Sequence, residues 1–252
     1  MYKPNPRLGF GNILCQLEDY LSNGGMDGTV HKSIKDFERG RAFNFNLKIS
    51  EIEGDEIPVN LYCNNVKFES LSHVLPAIMK PSEELLSLYK DPEAQIGIHI
   101  RCGSAMADCS GLSAPNDWFA SEKTFEKMNE IIEKNNCKIF VTSDSKIIKK
   151  MFKERWGDRI VLWDTDVTLS CDPSTCGGID QSSKSLMDTY LEWYALSQCR
   201  SVVTTCGPGF NPETNTGAGV STFGYTAAAY GQCQFYIVMW DGKMGQFTTQ
   251  SF

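Results

Sequence analysis

Nowhere in its 252 residues does the chain hold the roughly 18 uncharged apolar residues in a row that a membrane-spanning helix requires. Its opening stretch, MYKPNPRLGFGNILCQLEDYL, is broken by Gln16, Glu18 and Asp19. It lacks both an apolar core and a small-residue cleavage site, so no export signal is expected. Positive charge is also scarce: 24 Lys and Arg face 31 Asp and Glu, a net charge of −7 and a sequence pI near 5.1. Phosphate neutralisation supplies most of the affinity of a nucleic-acid binder. A broad polyanion surface is therefore excluded and no nucleic-acid partner is expected, although a small phosphate ligand needs only a local basic site. Internal repeats and low-complexity tracts are absent. With 41% hydrophobic and 22% charged residues, the composition excludes disorder, collagen and coiled coil as whole-chain answers. Neither a Walker A loop nor a GxSxG elbow occurs.

Cysteine is abundant instead, with ten in the chain. In a short exported domain that number would mean a disulfide framework. This chain is long enough to bury a core without covalent staples. Cys15, Cys137, Cys199 and Cys206 sit in or beside apolar periodic segments, where a free thiol behaves as a small hydrophobe. Reduced thiols and a cytoplasmic location are expected. Cys171 and Cys176 share one loop and leave a single pairing open. They have no CxxC partner pair and no nearby His, so a zinc site is not expected.

The chain has two textures. Up to about residue 90, one good helix pattern (Ile13, Leu14, Leu17, Tyr20, Leu21) accompanies short irregular runs. Phe43, Phe45, Leu47 and Ile49 alternate as in a half-buried strand, and Pro81-Ser82-Glu83-Glu84 opens a short helix. Asp91-Pro92 breaks the chain, which places a domain boundary between residues 1–92 and 93–252. Beyond it, strands at 95–101, 138–142, 159–163, 201–205 and 234–239 alternate with helical patterns. One of these carries Ile147, Ile148, Met151 and Phe152, another runs from Ser185 to Cys199, and the last from Ser221 to Tyr230. That alternation predicts an α/β fold with a parallel sheet covered on both faces.

Such sheets bind ligands at the carboxyl ends of their strands, which singles out a few residues. Arg101 follows the first strand of the regular half and shares a face with His99. A guanidinium at the mouth of a sheet needs an anionic partner, and its fixed fork of donors suits a phosphate or a carboxylate; a structural salt bridge is the alternative. Ser143 and Asp144 follow the second strand. Ser221-Thr222-Phe223-Gly224 opens a helix after a glycine-rich loop, and the unpaired N–H groups of a helix start favour anions. Arg101 and that helix start together point to a pyrophosphate. Gly9-Phe10-Gly11-Asn12 is half of a dinucleotide fingerprint, with Leu14 where a third glycine would stand. Asp164-Thr165-Asp166 fits the DxD pattern of metal-dependent sugar transferases and equally fits a solvated turn. Asp188 and Glu192 lie four apart on one helix, where solvent exposure would accommodate their like charges; Asp188 could also reach the sheet edge.

In this order the pieces resemble the fucosyltransferase superfamily, which includes α1,2-, α1,6- and protein O-fucosyltransferases. Gly9-Phe-Gly-Asn12 resembles its N-terminal GLGN turn. Ile98-His-Ile-Arg-Cys-Gly-Ser104 resembles its HxR motif, and Phe140-Val-Thr-Ser-Asp144 its strand ending in TD or SD. Asp188 with Ser221-Thr-Phe-Gly224 resembles its closing Asp…S(S/T)F motif. The resemblance implies a GT-B-like enzyme with a reduced α/β acceptor-side domain (1–92) and a Rossmann-like donor domain (93–252). It implies inverting transfer of fucose, or a related deoxyhexose, from a GDP-sugar to a glycan hydroxyl, with neither cofactor nor metal. Arg101 would be the catalytic residue, stabilising the leaving diphosphate. Gly9, Gly11, Asn12, His99, Arg101, Ser143, Asp144, Asp188, Ser221, Thr222 and Phe223 would line the donor site. Glu18, Asp19 and Asp144 are candidates for the general base. Two other readings are a non-catalytic glycan- or nucleotide-binding module of the same fold, which the late Asp108 after Arg101 favours, and a metal-dependent transferase built on Asp164.

Overall fold

The computed structural model describes residues 42–45, 68–101, 120–165, 183–207 and 220–247. Gly9, Gly11, Asn12, Glu18, Asp19, Asp108, Asp166, Cys15, Cys171 and Cys176 lie outside them, as does the helix pattern of residues 13–21.

Five parallel strands form the body of the sheet: β3 (Ile96–Ile100), β4 (Ile139–Ser143), β5 (Ile160–Val161), β6 (Ser201–Thr205) and β7 (Gln234–Val238). A sixth strand, β8 (Met244–Phe247), pairs antiparallel with β7, giving the order β5-β4-β3-β6-β7-β8. The strands alternate their side chains between two cores. Ile98, Ile100, Val141 and Val203 point toward α3 (Glu122–Lys134) and α4 (Lys146–Trp156), which bury Met128, Ile132, Ile148 and Phe152. Phe140, Val202, Phe235 and Ile237 point the other way, toward α5 (Ser183–Ser197) and α6 (Thr222–Gly231), with Trp193 fully buried between them. The chain thus winds outward from β3 across one face, returns through α5, and winds outward from β6 across the other. The expected α/β architecture with a Rossmann-like parallel sheet is present, and the winding reverses between β3 and β6. A crevice opens at such a reversal, beyond the carboxyl ends of the two strands.

Earlier segments pack on the α5–α6 face. β1 (Phe43–Phe45) pairs antiparallel with β2 (Met79–Pro81). Phe43 meets Trp193 edge to face at 5.5 Å between centroids. α1 (Phe68–Ile78) stacks Phe68 on Phe235 at 5.3 Å. α2 (Glu83–Leu88) is the short helix expected after Pro81, capped by the Ser82 hydroxyl on the Leu85 N–H.

Some elements depart from the sequence pattern. α1 carries Pro76 inside it, a residue that ordinarily breaks a helix and hides the pattern. The third strand is two residues long: Arg159 ends a 3₁₀ turn, and Leu162 and Trp163 lie past the strand. β8, a short edge strand, was not anticipated.

Candidate functional site at the carboxyl edge of the sheet

Most of the singled-out residues that the structure describes meet at the β3–β6 reversal. His99 is the last but one residue of β3 and is 5% exposed. Its Nδ1 lies 2.9 Å from Thr142 Oγ1 on β4, and its Nε2 lies 2.9 Å from Ser221 Oγ at the start of α6. The ring leans on Phe223, with centroids 4.7 Å apart. Burial first, then the Arg101 and Lys149 charges, push the imidazole down to about 3, so it is neutral at ordinary pH.

Arg101 follows directly. Its backbone N–H donates to Thr205 Oγ1 at 3.0 Å, fixing the chain where β3 ends beside β6. Its Nη1 lies 2.8 Å from Asp144 Oδ2, with the Arg101 side chain 34% exposed and that of Asp144 only 8%. The anionic partner expected for Arg101 is therefore present within the chain, and it is Asp144. The Arg101 side chain still keeps part of its surface open to solvent at the carboxyl edge of the sheet. The Ser143 hydroxyl donates to the Ile100 carbonyl at 2.8 Å and accepts from the Ser145 N–H at 3.2 Å, so it braces β4 against β3.

Across from Arg101 stands the first turn of α6. The Ser221 N–H donates to the Thr205 carbonyl, and the first helical bond runs from the Tyr225 N–H to the Ser221 carbonyl. Gly224 lets this turn come close. A Cβ there would lie 2.7 Å from Thr204 Oγ1 and 2.8 Å from its Cβ, both on a stiff, buried side chain.

A second cluster lies along the same edge, and sequence spacing did not reveal it. Lys149 of α4 and Glu192 of α5 form an ion pair with side chains 7% and 1% exposed. Thr165, just past β5, donates to the same Glu192 Oε1, and Lys149 Nζ also reaches Thr165 Oγ1 at 3.3 Å. Glu192 Oε2 is buried without a hydrogen-bond partner. Burial holds the Glu192 acid above the usual carboxylate range, Lys149 and Thr165 oppose that, and Asp188 adds to it. The expectation of a solvent-exposed Asp188–Glu192 face is thus overturned for Glu192. Its charge is met across helices by a buried lysine, while Asp188 is half-buried one turn earlier. Ile147 and Met151, expected on the apolar face of α4, are 59% and 40% exposed, while Lys149 between them is buried. Periodicity alone cannot say which lysine of Lys-Ile-Ile-Lys-Lys faces inward. Asp164 is exposed.

Among the described residues, no helix is long and apolar enough to cross a membrane. The described cysteines Cys137, Cys199, Cys206 and Cys233 are free thiols. Burial pushes the last three up to about 12.

No family model matches the chain, and no curated protein does. Among solved structures it is similar to NodZ alpha-1,6-fucosyltransferase soaked with GDP-fucose, at 14% identity and a TM-score of 0.40 over 68% of this chain and 50% of that one. The same enzyme co-crystallised with GDP matches at 12% identity and a TM-score of 0.40, over 69% and 50% of the two chains. Fucosyltransferase NodZ from Bradyrhizobium matches at 16% identity and a TM-score of 0.35, over 68% and 49%. The chain spans about half the length of the solved structures it matches.

Proposed function

We propose that the crevice at the β3–β6 reversal binds the diphosphate of a nucleotide-sugar donor, and that the protein is an inverting glycosyltransferase. One observation carries the reading. An arginine one-third exposed, oriented by the Asp144 carboxylate, stands at the carboxyl end of β3 beside the first turn of a ten-residue helix that its N-cap side chain leaves uncapped. Two unrelated anion-binding devices at one strand reversal suit a pyrophosphate better than a single carboxylate or phosphate.

In this reading an acceptor hydroxyl attacks the anomeric carbon as the bond from that carbon to the β-phosphate oxygen breaks. The electron pair leaves on the diphosphate, and the acceptor proton goes to a base. Arg101 and the α6 N–H groups are aimed at the oxygens where charge grows, the preorganised electrostatic form of catalysis. Asp144, already engaged by Arg101, orients that guanidinium. No metal is needed. The sugar is fucose or a related deoxyhexose carried on GDP, the acceptor is a glycan hydroxyl, and residues 1–92 supply the acceptor side.

Thermal unfolding in the presence of GDP, UDP or dTDP, each alone and as its sugar conjugate, tests the proposal. A ligand at 100 times its Kd stabilises by about 2.7 kcal/mol, an upward shift of about 5 °C in a chain of this size. GDP and GDP-fucose are expected to give the largest shifts. No shift with any nucleotide would sink the donor-site reading.

A further inference from the structure

The start of α6 departs from a rule that the other serine-capped helices obey. Ser82, Ser121 and Ser145 each accept a hydrogen bond from a first-turn N–H, those of Leu85, Thr124 and Ile148. Ser221 makes no such bond. Its hydroxyl is taken instead by His99 Nε2 at 2.9 Å, and Thr142 holds the opposite ring nitrogen at the same distance. Phe223 packs on the ring and the residue is 5% exposed, so the imidazole is fixed on three sides. Thr222, Phe223 and Gly224 precede the first helical bond, so their N–H groups have no partner within the helix. A serine N-cap ordinarily satisfies one of these donors and stabilises its helix by doing so. Here that stabilisation is forgone at the helix that begins beside Thr205, the residue that also holds the Arg101 backbone.

We propose that His99 is a positioning residue. By holding the Ser221 hydroxyl off the first turn of α6, it keeps that turn's N–H donors open for the anion bound beside Arg101. The inference rests on the donor-site reading above and assigns His99 no contact with the ligand. Its effect passes through Ser221.

GDP binding measured by calorimetry on the wild type, His99→Leu, Ser221→Ala and the double variant tests this. Amide hydrogen exchange at residues 222–224 of the same four proteins, without ligand, runs alongside. In His99→Leu the freed hydroxyl caps its own helix and occupies one donor. GDP affinity should fall about tenfold or more, the range of one charge-assisted hydrogen bond. Adding Ser221→Ala removes the competing oxygen, so the double variant should bind GDP more tightly than His99→Leu alone. Without ligand, the Phe223 or Gly224 amide should exchange more slowly in His99→Leu than in wild type, and return to the wild-type rate in the double variant. A double variant that binds as weakly as His99→Leu, or more weakly, overturns the proposal, and so does unchanged exchange in His99→Leu. If the wild type binds no GDP, the donor-site reading fails by itself and the exchange comparison still decides the role of His99. If His99→Leu does not fold, His99→Asn goes through the same comparison, because its shorter amide cannot span from Thr142 to Ser221.

Discussion

Arg101 is the side chain on which the functional reading turns. The guanidinium has a fixed fork of donors, and its Nη1 meets Asp144. Lysine in its place keeps the charge but cannot hold Asp144 and two phosphate oxygens together. Arg101→Lys should lower donor turnover roughly ten- to a hundredfold, from about 1.5–3 kcal/mol of charge-assisted bonding. Arg101→Ala should do worse while the protein still folds, with some loss of stability because the 8%-exposed Asp144 carboxylate loses its partner. Unfolding of Arg101→Ala would make the Asp144 pair a structural bridge, and full turnover would remove Arg101 from the site. His99 makes a separate prediction at the same scale. Its folded value near 3 lies below the usual 6.5, so the unfolded chain binds a proton that the folded chain refuses between those values. The stability it contributes is complete above about pH 6.5 and is lost as pH falls toward 3, by about 1.4 kcal/mol per unit. Urea titrations from pH 6.5 to 4.5 should show this slope in the wild type and a shallower one in His99→Asn. Both residues were legible in the sequence, because strand alternation put them on one face and the end of the strand put them at its mouth. Their partners were only partly legible. Asp144 was expected nearby, but nothing in the spacing showed that it would engage Arg101 itself.

Among the elements, α6 depends on close approach and α4 depends on α5. Gly224→Ala would drive a methyl into buried Thr204, so the first turn of α6 must lift from the sheet. A cost of about 1–3 kcal/mol is the usual range for overpacking. GDP affinity should fall with it, because the displaced turn carries the proposed donors. Wild-type GDP affinity in Gly224→Ala would separate that turn from the site. The Lys149–Glu192 pair joins α4 to α5 around the sheet edge, and removing one member strands the other in the interior. Glu192→Gln should destabilise by about 3–5 kcal/mol, and Lys149→Met with Glu192→Leu should recover most of it. A Glu192→Gln variant as stable as wild type in urea would show that the pair contributes nothing net. The alternation of strands and helices was readable because each strand buried on both faces is a short apolar run. The Lys149–Glu192 contact was unreadable for the opposite reason. Both residues carry charge in helices with other charges, and only the packing of α4 against α5 selects which of them turn inward.

For the molecule as a whole, reduced thiols and metal independence are the properties at stake. The described cysteines are free, and three are buried with thiols raised to about 12, so they resist forming reactive thiolates. Titration of denatured, unreduced protein should find at least eight thiols among the ten cysteines, and two or fewer would place the chain in an oxidising compartment. The proposed metal independence rests on where the charges lie along the sheet. Asp164 follows β5, and β4 separates β5 from β3. At about 4.8 Å between neighbouring strands, β5 itself runs roughly 10 Å from β3, and Asp164 lies beyond the end of β5. A cation held there would lie on the far side of β3 from β6 and α6. A metal-bridged diphosphate there would be out of reach of the helix start, whereas Arg101 and the first turn of α6 flank the same reversal. Sugar transfer from GDP-fucose should therefore persist in excess EDTA at close to its untreated rate. If EDTA abolishes it and manganese restores it, the diphosphate sits by Asp164, and Arg101 serves the fold through Asp144 rather than the donor.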